Sequence, residues 1–124
     1  MKFNIVFHKQ KMEISVKTGF IVHLYDELLY IVYDAPYCWL VLKGKKYMVE
    51  TSLQYIMDNL PKNDFFQCNR SVIVNINYCK EYRREESVIV MDDYEEIRLS
   101  RRRVKSFHMM RNNQFQISKL GNNN

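Results

Sequence analysis

Short apolar runs alternate with polar residues along most of the chain, and each run ends at a cluster of turn-forming residues. Strands are predicted over residues 12–16 and 20–24, joined by Lys17-Thr18-Gly19, a glycine-containing hairpin signal. Asp26-Glu27 interrupts the next run, which resumes over 28–32. Asp34-Ala35-Pro36 is a loop, because proline cannot join a central ladder and restricts the residue before it. Strands over 37–42 and 46–49 flank a second hairpin signal, Lys43-Gly44-Lys45. Further strands are predicted over 71–75, 79–83, 88–91 and 95–99, with Asp92-Asp93-Tyr94 as the last turn.

Two segments change period. Thr51-Ser52-Leu53-Gln54 fits a capping box with Thr51 as the cap, and Leu53, Ile56, Met57 and Leu60 then share one helical face until Pro61. Ser100 is the expected N-cap of a short helix over 101–110 that buries Val104, Phe107 and His108 or Met109. Residues 1–10 alternate weakly and suit an arm or edge strand, whereas the Asn- and Gln-rich residues 111–124 suggest a flexible tail. Between them, residues 11–110 form one mostly β domain of short antiparallel strands with one or two short helices.

Composition supports a globular domain: 47% of the 124 residues are hydrophobic and glycine and proline are scarce. Seven of the nineteen Lys and Arg residues follow Glu96, and none of the fourteen acids does. The excess positive charge therefore lies wholly in the last quarter, which points to an anionic partner. Cys38, Cys68 and Cys79 show no CxxC spacing, no cleavable apolar leader opens the chain, and no run is long enough to cross a bilayer. The expectation is a cytoplasmic protein with reduced thiols serving as packing residues. His8, His23 and His108 have no metal-ligand spacing, and neither a nucleophile elbow nor a phosphate loop is present. No enzyme activity, cofactor, metal or membrane partner is expected.

The chain is organised around residues 65–107. Two apolar runs there abut polar turns bearing arginine and a small hydroxyl residue: Cys68-Asn69-Arg70-Ser71-Val72-Ile73-Val74-Asn75 and Leu99-Ser100-Arg101-Arg102-Arg103-Val104-Lys105. Arginine offers a rigid fork of donors for phosphates and guanine edges. These motifs, with Glu27-Leu28-Leu29-Tyr30-Ile31-Val32-Tyr33 and Gly44-Lys45-Lys46-Tyr47 upstream, resemble the LytTR family, the DNA-binding output domains of LytR- and AgrA-type response regulators. The resemblance implies an elongated β fold whose loops enter successive major grooves of double-stranded DNA. It assigns contacts to Pro36 or Tyr37, to Asn69-Arg70 and to Arg102. It also implies paired sites, filled by two copies side by side that form at most a weak homodimer on DNA, with a weak dimer or none in solution. Asn69 stands where the family usually has His, Ala35-Pro36 replaces its usual small and Asn residues, and Tyr94 occupies a turn position that is often Gly. Family members usually carry a receiver domain or membrane segment, and the 124 residues leave room for neither, so a stand-alone output domain is expected here.

Blander readings stand beside these. Arg101–Arg103 could be a solvated helix start, but three cations there oppose the helix dipole unless an anion is bound. Arg70 could pair with Asp64 or a nearby Glu, and Asn75 reads as a scaffold amide. Lys80, Arg83 and Arg84 interleave with Glu81, Glu85 and Glu86, as in a salt-bridged strand edge. Trp39, Tyr78 and Tyr82 fit cross-strand packing better than stacking on single strands. The leading expectation is a sequence-specific DNA-binding transcription regulator. Arg70 and Arg102, supported by Asn69 and Tyr37, face bases, while Ser71, Ser100, Arg101, Arg103 and Lys105 hold phosphates. The alternative is an interaction module that keeps the fold and sequesters a related regulator without binding DNA.

Overall fold

The computed structural model describes residues 4–121, with side chains described to residue 114. Strands β1 (Ile5–Phe7), β2 (Lys11–Val16) and β3 (Gly19–Leu24) form a first antiparallel sheet in chain order. Strands β4 (Leu28–Asp34), β5 (Tyr37–Leu42), β6 (Lys45–Val49), β7 (Phe65–Asn69) and β8 (Val72–Asn75) build a central sheet of order β6-β5-β4-β8-β7. Helix α1 (Leu53–Asn59) connects β6 to β7. The third sheet has β10 (Val88–Met91) between β9 (Cys79–Arg83) and β11 (Glu96–Arg98), and helix α2 (Val104–Gly121) follows a single 3-10 turn at Arg101–Arg103.

The central sheet is buried on both faces, because its side chains alternate between two cores. Ile31, Leu40, Phe65 and Ile73 join Met12 and Ile14 of the first sheet and Leu53 and Ile56 of α1. Tyr30, Val74 and Cys68 turn the other way, toward Ile89 and Met91 of the third sheet and Phe107 of α2. Asn75, almost fully buried, donates to the Leu28 carbonyl (2.9 Å) and accepts from the Asn77 amide (3.0 Å), the scaffold role expected of it. The three thiols are free. Burial pushes Cys38 up to about 11 and Cys79 up to about 12, so these sulfurs are protonated packing groups.

Local expectations are corrected at several points. Ser52, not Thr51, caps α1: its Oγ accepts from the Tyr55 amide at 3.1 Å. Thr51 is buried, and its Oγ1 finds no partner among the described residues. Gln54 does not reach back to the cap but donates to Asp58 (2.7 Å). The second helix begins at Val104 and extends past Met110 to Gly121, well into the segment read as a tail. Gln114 on that extension donates to Asp64 Oδ1 (2.8 Å) and to the Asn63 carbonyl, which ties α2 to the loop before β7. Met110 packs on the second core, whereas Met109 is exposed. Residues 122–124 lie outside the described residues.

Candidate nucleic-acid interface

Arg70 and Ser71 form the two-residue turn between β7 and β8. Asn69 shapes it: its side-chain oxygen accepts from the Ser71 amide at 2.8 Å, the local bond that makes asparagine a turn former. Register slips just before this turn, so that Gln67 faces Ile73 and Asn69 faces Val72, with Cys68 as the extra residue. The bulge sends the Cys68 side chain into the second core and leaves its carbonyl for another segment. Burial pushes the Cys68 thiol far above the usual thiol range, as suits a protonated packing group.

That other segment is the end of β11 and the arginine turn after it. Three successive residues of β7 grip it. The Gln67 carbonyl accepts from Arg103 Nη1 (3.1 Å), the Cys68 carbonyl from the Ser100 amide (3.0 Å), and Asn69 Nδ2 donates to the Arg98 carbonyl (2.7 Å). Ser87, held at a positive φ of 53°, adds bonds in both directions with Leu99 (2.7 and 2.9 Å). Ser100 caps by backbone alone, its carbonyl accepting from the Arg103 amide at 2.9 Å. Behind the turn the fully buried Phe107 ring packs on Phe66 (5.6 Å between centroids) and Tyr82 (6.0 Å), fixing α2. The two arginine turns thus behave as one rigid unit.

Between them lies a shallow, solvent-open concavity of roughly 660 Å³. It is lined by Asn69, Arg70, Ser71, Arg98, Ser100, Arg101, Arg102 and Arg103. Five arginines and no acid face it. Arg70, Arg98, Arg101 and Arg102 are exposed and, among the described residues, make no ion pair. The pairing of Arg70 with Asp64 does not form: Asp64 accepts instead from Asn77 (3.1 Å) and Gln114. The contrast with Arg83 is sharp, for that side chain meets Glu81 (3.1 Å), Glu86 (3.5 Å) and Glu96 (2.9 Å).

Seven of the nine residues singled out from the sequence line the concavity; Tyr37 and Lys105 do not. Tyr37 opens β5 opposite Asp34, across the turn at Ala35-Pro36, whose peptide bond is cis. The Tyr33 amide donates to the Ser71 carbonyl at 2.7 Å, so this hairpin tip lies at the same end of the central sheet as the Arg70 turn. Lys105 is exposed in the first turn of α2. Asn69 and Arg103 are already engaged in the clamp. Arg98 was not among the expected site residues, although its place in the alternating exposed-buried-exposed strand Glu96–Arg98 was the available signal. Tyr94 does adopt the positive φ (71°) of a turn that glycine would favour.

A family model of the LytTr DNA-binding domain matches residues 18–112. The chain belongs to the LytTR family. It is therefore a DNA-binding domain of the transcription-regulating type, with double-stranded DNA as its partner. The solved structure of a LytTr DNA-binding domain from Bacillus cereus is similar, with a TM-score of 0.73 and 23% identity over 83% of this chain and 97% of that one. At that identity the likeness speaks for the LytTR fold alone. No curated protein matches the sequence at a significant level. No helix among the described residues is long and apolar enough to cross a membrane.

Proposed function

We propose that this LytTR domain reads double-stranded DNA by inserting the Arg70 turn and the Arg102 turn into the major groove. The observation that carries the reading is the acid-free concavity in which two turns, clamped by three hydrogen bonds from β7, present unpaired guanidinium groups. Arginine forks suit the paired acceptors of guanine, and turns already fixed in the free protein lose less backbone entropy on binding. Arg70 and Arg102 face base edges, with Tyr37 flanking them from the neighbouring hairpin. Arg101, Ser71, Ser100 and Lys105 hold phosphates. Asn69 and Arg103 act chiefly by fixing the distance between the turns. Two copies occupy paired sites.

Selection of bound duplexes from a random pool, followed by titration of parent and Arg102→Ala on the winning sequence, tests this. A parent-like affinity and preference in the variant overturns the role given to Arg102. If the parent enriches no duplex sequence at moderate salt, the specific-readout proposal fails and the sequestering module becomes the better account.

A further inference from the structure

The first sheet lies away from the arginine turns, and its outer side exposes apolar residues. Phe20 is 63% exposed, Val6 50%, Leu24 48% and Val22 42%. Strand β3 is also one of the two edges of that sheet. Which of its backbone groups are free follows from the pairing. The Ser15 amide donates to Asn4 and the Lys11 carbonyl accepts from His8, so residues 11, 13 and 15 of β2 turn toward β1. Met12, Ile14 and Val16 therefore bond β3, through His23, Ile21 and Gly19. Phe20, Val22 and Leu24 are left with their amides and carbonyls pointing outward. Leu24 agrees with this, for its amide is capped by Glu27 Oε2 at 2.8 Å.

We propose that this edge pairs, antiparallel and about a two-fold axis, with the same edge of a second copy of the chain. A self-complementary strand edge is what an isologous contact requires. The axis passes through Ile21. In that register Phe20 and Val22 exchange backbone hydrogen bonds with Val22 and Phe20 of the second copy. Their side chains meet across the junction as apolar cross-strand pairs. Centring on Val22 instead sets Leu24 against Phe20 and breaks the Glu27 cap. The Ile21 axis also brings Lys17 of each copy beside residues 25–27 of the other, where Asp26 and Glu27 supply the opposite charge. The contact is a single strand edge, so it buries less than the about 1,200 Å² at which stable interfaces begin, and the dimer is weak. The inference does not depend on where DNA binds.

Sedimentation velocity of the full chain, from about 1 μM to about 1 mM, is the test. The mass rises from monomer toward dimer across that range. Val22→Lys weakens association at least about tenfold, because a charge at the junction blocks edge pairing, while the melting temperature stays at the parental value. Lys17→Glu also weakens association, and the combined Lys17→Glu/Asp26→Lys variant recovers it. A parent that stays monomeric throughout overturns the proposal and leaves the edge for a strand of another protein. Association of Val22→Lys at parental strength, or a charge-swapped pair no better than the single variant, overturns it equally.

Discussion

Two arginine-rich regions of this domain carry similar side chains in opposite electrostatic settings. On the third sheet Arg83 sits among three carboxylates, and its hydrogen bonds to Glu81 and then Glu96 hold the guanidinium protonated beyond its ordinary range. Around the concavity between the two turns, Arg70, Arg98, Arg101 and Arg102 make no ion pair among the described residues. The first set is neutralised within the fold and leaves little field for a partner. The second keeps its field, and on the proposed reading DNA phosphates offset the cost of holding those cations together. A count of basic residues would not separate the two regions; the position of the acids does.

The largest effect expected is on Phe107, whose ring is shared by both regions through Phe66 and Tyr82. Phe107→Ala should cost about 3–5 kcal/mol of stability in denaturant unfolding, by loss of burial and the cavity left behind. Next comes Arg102→Ala, expected to lose about 1–3 kcal/mol on the preferred duplex and to flatten base preference at one position. Competition titrations against single-base variants of that duplex check it. Asn69→Ala breaks the link to Arg98 and the turn bond to Ser71, so specific affinity should fall with roughly 1 kcal/mol of stability. If affinity survives while stability drops, the clamp is structural only. Lys105→Ala should weaken all duplexes alike and reduce the slope of log affinity against log salt by about one. The smallest effect is expected at Arg83: Arg83→Ala should leave DNA affinity and its salt slope at parental values. A clear loss there would erase the distinction between the two regions.

Much of the fold was legible along the chain because it depends on local rules. Alternation placed most of the strands but not β7 (Phe65–Asn69), whose bulged run does not alternate cleanly, and the scarcity of glycine made Lys17-Thr18-Gly19 and Lys43-Gly44-Lys45 stand out as hairpins. Capping was less legible. Thr51 and Ser52 are both competent caps, and only burial of Thr51 in the core decides that Ser52 does the work. The length of α2 was hidden for a similar reason. Asn and Gln are indifferent helix formers, and what ties the extension down is a distant bond from Gln114 to Asp64.

The arginine motifs, their chemistry and their family pattern are properties of the sequence itself, because donor type and spacing along a turn are local. The sequence did not contain the distance between those turns, nor which arginines would be free. Those depend on a bulge at Cys68 that offers carbonyls sideways, on carboxylates folding toward Arg83 rather than Arg70, and on Asn69 and Arg103 becoming struts. The struts and the Arg83–Glu96 pair join residues far apart in the chain, and the bulge is set by how β7 pairs with β8; all are decided when the sheets pack.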